Sequence, residues 1–105
     1  KMSIRINVID RKGNKTVFDV EENTTIKDAI MNELSPDKYG ICDGNCLCGT
    51  CHVRVNPDDF EKLKAKEEGE IDLLKTLDVK IDKYSRLGCQ IKLKKEYDNI
   101  TISIV

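Results

Sequence analysis

Four of the chain's five cysteines fall in one stretch, Cys42-Asp43-Gly44-Asn45-Cys46-Leu47-Cys48-Gly49-Thr50-Cys51, and the only histidine, His52, follows it directly. The fifth cysteine, Cys89, lies far downstream in Arg86-Leu87-Gly88-Cys89-Gln90. Three close cysteines and one distant one are how a chain offers four thiolates to an iron–sulfur cluster, with one loop wrapping the cluster and a second segment closing the cage. The rest of the sequence reads as scaffold that brings the two segments together.

Five cysteines exceed four sites, so one is spare. Cys48 and Cys51 have the two-residue gap that lets two thiolates of one turn face one metal centre, and Cys42 upstream gives Cys-x5-Cys-x2-Cys. Cys46 stands one residue from Cys48 and does not supply the four-residue gap of the plant-type pattern. A disulfide framework is disfavoured by the odd count and by the crowding of four cysteines into ten positions. Structural zinc is the stronger rival, because four-cysteine zinc sites also use a Cys-x2-Cys turn, although they usually pair two such turns. A thiol redox motif is weaker still, since Cys48-Gly49-Thr50-Cys51 does not follow a strand at a helix start. Spacing alone leaves cluster and zinc open, with the cluster ahead. Gly40, Gly44 and Gly49 along the loop permit the close backbone approach by which N–H groups reach cluster sulfur.

The scaffold can be read in outline. Ile4, Ile6 and Val8 alternate with Arg5 and Asn7 as in a strand with one buried face. Arg11-Lys12-Gly13-Asn14 is a polar turn, and Lys15 to Val20 is the returning strand of a hairpin. Thr25 and Asp28 resemble a capping box ahead of Ile26, Ala29, Ile30 and Leu34 at helical spacing, and Pro36 marks the helix as finished. His52 to Val55 reads as a short strand, and Pro57 to Lys66 as a turn continuing into a helix with Phe60 and Leu63. Glu70 to Leu77 reads as a further helix with Leu73, Leu74 and Leu77 inside, Leu87 to Ile91 as a strand holding Cys89, and Ile100, Ile102 and Ile104 as a closing strand. This order suggests an α+β domain. At 105 residues it is expected to be one domain, 1–105, with a modest core. The formal charge is −1, so no bulk attraction to nucleic acid is expected. No apolar run approaches the roughly 20 residues that span a bilayer, and a soluble protein is expected. No targeting segment is visible ahead of Ile4, and free thiols fit a reducing compartment.

The Cys42–His52 stretch, with Arg86-Leu87-Gly88-Cys89-Gln90, resembles the loop of adrenodoxin-type [2Fe-2S] ferredoxins, which carry Cys-x5-Cys-x2-Cys-His and a last cysteine after Arg-Leu-Gly or Arg-Leu-Ser. The likeness continues through Phe60-Glu61-Lys62-Leu63 and Tyr97-Asp98-Asn99-Ile100-Thr101, and so covers nearly the whole chain. The resemblance implies a ubiquitin-like β-grasp fold with one [2Fe-2S] cluster per chain at one edge. It implies Cys42 and Cys48 on one iron, Cys51 and Cys89 on the other, and Cys46 as a packed filler where the family has an apolar residue. It gives His52 the role of a hydrogen-bonded link between the cluster loop and the partner-binding region. Thr50, between Gly49 and Cys51, could donate toward sulfur and raise the potential, or cap the turn.

From Asp58 to Asp72 the acids outnumber the lysines by four. Such runs are usually solvated faces, but this one is local in a nearly balanced chain, and the matching helix of adrenodoxin-like proteins docks basic patches on reductases and acceptors. Glu67, Glu68, Glu70 and Asp72 are the docking residues expected. The resemblance further implies an electron carrier and not an enzyme, a monomer taking electrons from an NADPH-dependent ferredoxin reductase. Its acceptor would be the iron–sulfur assembly machinery (scaffold and cysteine desulfurase) or a cytochrome P450. It would reside in the mitochondrial matrix or a related organelle, or in the cytoplasm of a bacterium. The alternative of a different class is a zinc-stabilised ubiquitin-like interaction module.

Overall fold

The alternation at Ile4, Ile6 and Val8 becomes strand β1 (Ser3–Ile9) in the computed structural model, which describes residues 3–34, 52–76 and 81–105. Strand β2 (Lys15–Glu21) returns antiparallel to it in the register Ile4↔Val20, Ile6↔Phe18 and Val8↔Thr16. The turn between them is organised by Asp10, whose Oδ1 accepts from the N–H groups of Lys12 and Asn14, both at 2.9 Å. The Asn14 amide is the main reason that the Asp10 carboxyl sits below the usual carboxylate range. Gly13 takes φ 89°, the left-handed conformation that a residue with a Cβ resists.

One departure from simple alternation is Asn7, expected to face outward and found buried. Its Nδ2 donates to the carbonyls of Ile100 at 3.1 Å and Asn99 at 3.2 Å, so its amide nitrogen is satisfied on the way in. Those acceptors belong to strand β5 (Ile100–Ile104) and the residue before it. β5 runs parallel to β1 in the register Ile6↔Ile100 and Val8↔Ile102. Strand β3 (His52–Val55) pairs antiparallel with the other side of β5, and strand β4 (Ser85–Leu87) pairs antiparallel with β3, giving the order β2-β1-β5-β3-β4.

Helix α1 (Ile26–Glu33) starts where the sequence placed it: Thr25 Oγ1 accepts from the Asp28 N–H at 3.1 Å. Its Ile26, Ala29 and Ile30 are buried in the core with Ile6, Val8, Val53, Ile100 and Ile102. Burying each isoleucine contributes about 1.5–3 kcal/mol.

The next two helical expectations need correction. Pro57 to Lys66 does not continue as one helix: α2 (Pro57–Phe60) is a single turn, capped by Asn56 Oδ1 on the Asp58 N–H at 3.0 Å. The chain then leaves the helix because Leu63 turns into the core and the Lys64 carbonyl accepts from Arg86 Nη1 at 2.9 Å. Helix α3 (Glu68–Thr76) begins two residues earlier than expected; Leu74 is buried, Leu73 half-buried, and Leu77 lies outside the described residues. Among the described residues no helix is long and apolar enough to cross a membrane. The predicted α+β class holds, with the mixed sheet and its packed helices in the β-grasp arrangement.

Candidate metal centre

Cys89 does not sit in a strand. Strand β4 stops at Leu87, and Gly88–Gln90 form a 3-10 turn, closed by the Ile91 N–H on the Gly88 carbonyl at 3.4 Å. The turn lifts Cys89 out of the sheet's hydrogen-bonding ladder and leaves its Sγ half-buried, where Gln90 Nε2 donates to it at 3.6 Å. Helix α1 packs against this turn, which fixes it from beneath.

The strand leading into the turn is held by a buried ion pair. Arg86 Nε donates to Glu70 Oε2 at 2.8 Å and Arg86 Nη2 to Glu70 Oε1 at 3.1 Å, and the Leu87 N–H adds a third bond to Oε2 at 2.9 Å. The two side chains are 1% and 2% exposed. Glu70 was expected among the docking acids, and that expectation is corrected: its carboxylate faces inward and is fully engaged, so it presents no charge to a partner. Asp59, counted in the same acidic run, is also buried; its Oδ2 accepts from the Thr101 N–H at 2.9 Å and its Oδ1 from Lys62 Nζ at 3.2 Å. The acids left at the surface of the run are Asp58, Glu61, Glu67, Glu68 and Asp72. Sequence reasoning had no means to separate inward from outward acids, although the Arg-Leu-Gly-Cys motif does place an arginine next to a strand that must be buried.

His52 opens β3, and its backbone pairs with Leu87. The imidazole is buried, and among the described residues Nε2 has no hydrogen-bond partner. The link expected from this side chain is therefore not made by Nε2 among those residues. Desolvation, reinforced by the charge of Arg54, lowers its pKa and favours the neutral ring.

Cys42, Cys46, Cys48, Cys51 and Thr50 lie outside the described residues. Among the described residues no group of three or more His, Cys, Asp or Glu is set to hold a metal ion. Cys89, the one expected ligand that is described, fits a soft metal: a sulfur donor on a 3-10 turn, with an amide N–H beside it.

Comparison with known proteins agrees with this chemistry. The family model described as "2Fe-2S iron-sulfur cluster binding domain" matches residues 9–94. The mitochondrial adrenodoxin homolog of Saccharomyces cerevisiae is 39% identical over 101 residues, covering 96% of this chain and 58% of the yeast protein, so the chain spans under two thirds of that relative. Among solved structures, a ferredoxin from Rhodopseudomonas palustris superposes with a TM-score of 0.90 at 31% identity, covering 96% of this chain and 95% of that one. Putidaredoxin in its covalent complex with putidaredoxin reductase superposes with a TM-score of 0.89 at 30% identity, covering 95% and 96% of the two chains.

Proposed function

The chain belongs to the adrenodoxin-type [2Fe-2S] ferredoxins, and from that membership we propose that it carries single electrons from an NADPH-dependent flavoprotein reductase to acceptors in iron–sulfur cluster assembly. It is an electron-transfer protein with one [2Fe-2S] cluster as its cofactor, and the zinc-module alternative is set aside with that. The cluster, when bound, supplies the one-electron redox change; the protein supplies the ligands, the electrostatics and the surface.

The ligands proposed are Cys42, Cys48, Cys51 and Cys89, the first two on one iron and the last two on the other. The observation that carries this reading is the His52↔Leu87 pairing. It brings the chain just after Cys51 alongside the chain just before Cys89, on strand ends fixed by the Glu70–Arg86 pair. Two distant sequence segments are thus side by side in the fold. Cys46 is proposed as a packed filler with no metal.

Partner docking is proposed at Glu67, Glu68 and Asp72, which stay exposed on and beside α3. The reductase is supported by the putidaredoxin complex, and a mitochondrial location, with the matrix as the proposed compartment, by the name of the yeast relative. One domain, acting as a monomer, is sufficient for this work.

The deciding experiment is anaerobic purification with iron and acid-labile sulfide counted for Cys46→Ser, Cys48→Ser and Cys89→Ser. Cys46→Ser should retain a full cluster, while the other two lose it. A colourless Cys46→Ser protein would refute the ligand set. Electron transfer from the reductase to an assembly scaffold with its desulfurase, run beside the same assay with a P450, then separates the two acceptors; turnover with the P450 alone would overturn the assembly role.

A further inference from the structure

Lys92 and Lys94 alternate with Ile91 and Leu93 along an extended segment just beyond Cys89. The two apolar residues are buried in the core, so the lysines share the outward side. The segment is fixed against the start of α1: the Ile26 N–H donates to the Ile91 carbonyl at 2.9 Å, and the Leu93 N–H to the Thr24 carbonyl at 2.8 Å. Lys64 reaches the same place from the loop after α2, where its carbonyl is held by Arg86. The three lysines line one cavity of about 300 Å³, with Cys89, Ile91 and Tyr97 also in its walls.

Among the described residues no carboxylate lines this cavity. Among the described residues Lys92 and Lys94 have no ion-pair partner, and Lys64 has only Glu67 at 3.3 Å, a side chain 73% exposed. The positive charge of Lys92 and Lys94 is therefore concentrated on a concave wall, with Lys64 and its partner Glu67 at the margin where the acids of 58–72 begin. Ammonium groups bind phosphate as point charges, three of them around one hollow repel each other until an anion enters, and the volume is at the small end of ligand sites.

We propose that this cavity binds a small phosphoryl-bearing anion beside the sulfur of Cys89. The site adjoins the acidic docking face through the Lys64–Glu67 pair, so Lys92 and Lys94 are the residues that test it apart from docking. Its effect on the redox centre rests on the reading of Cys89 as a ligand: negative charge next to a group that gains an electron makes reduction harder.

The test is a calorimetric titration of the cluster-loaded protein with inorganic phosphate, with ionic strength held constant by chloride. Saturable binding at one site is expected, weakened at least about tenfold by Lys92→Gln with Lys94→Gln, and unchanged by Lys12→Gln in the β1–β2 turn. All three positions are exposed, so the variants should fold, and circular dichroism checks this. Binding that never saturates, that survives the double substitution, or that weakens equally with Lys12→Gln overturns the proposal. A midpoint potential moving to more negative values with phosphate supports both the cavity and the Cys89 assignment. Saturable, lysine-dependent binding with no change in potential supports the cavity and counts against Cys89 alone.

Discussion

Replacing Glu70 by glutamine keeps the shape of the side chain and removes the charge that Arg86 was buried to meet. The guanidinium is 1% exposed, with two of its bonds to this carboxylate at 2.8 and 3.1 Å. At an effective dielectric of about 20, opposite charges 4 Å apart attract by about 4 kcal/mol, and removing one member of a buried pair typically costs about 3–5 kcal/mol because the other charge is left without compensation. A domain of this size has a total stability of about 5–15 kcal/mol, so Glu70→Gln should remove roughly a fifth of it or more. Urea unfolding of the anaerobic, cluster-loaded protein should show its midpoint lowered by about 2 M for a slope near 1.5–2 kcal/mol per M. The local readout is hydrogen exchange at the Leu87 amide, which donates to Glu70 Oε2 at 2.9 Å and should exchange on the order of 100-fold faster. Pairing the change with Arg86→Met should recover much of the loss, since a buried ion pair can often be exchanged for apolar packing at little cost. A single-variant loss under about 1 kcal/mol, or a double variant as unstable as the two losses added, would refute the reasoning.

Three further outcomes are expected of the same fold. Asp59→Ala should destabilise by about 1–3 kcal/mol in urea, because the Thr101 N–H inside the sheet loses its acceptor. Gly69→Ala should stabilise by about 0.4–1 kcal/mol in thermal unfolding, since a Cβ there meets no atom within 4 Å in the first turn of α3. Converting Glu67, Glu68 and Asp72 to their amides should slow reduction by the reductase about tenfold at low salt, with the difference shrinking as ionic strength rises; a salt-independent deficit would point away from charge steering.

The legible parts of the sequence were those governed by local rules. Period-two alternation placed β1 and β5, the polar Arg11–Asn14 turn placed the hairpin, and Thr25 placed the start of α1. What resisted reading was set by tertiary partners. α2 ends after one turn because Arg86 takes the Lys64 carbonyl, a contact 22 residues away in sequence. Cys89 sits on a 3-10 turn although its apolar neighbours, Leu87 and Ile91, suggested a strand. Asn7, Asp59 and Glu70 are polar and buried, each with a partner that no short window could reveal. The acidic run illustrates the point best: its acids outnumber its lysines by four on paper and by two among side chains not turned into the protein.

The middle of the sheet belongs to β5, which separates β1 from β3. A ribosome reads the chain in the opposite order of importance: the outer hairpin emerges well before the central plank. Until Ile104 has cleared the exit tunnel, β1 has no neighbour on its inner edge, β3 and β4 have nothing to lean on, and Asn7 has no carbonyls to receive it. The sheet therefore cannot close until β5 is available, and a fragment stopped before residue 100 would expose two raw edges to chaperones and proteases.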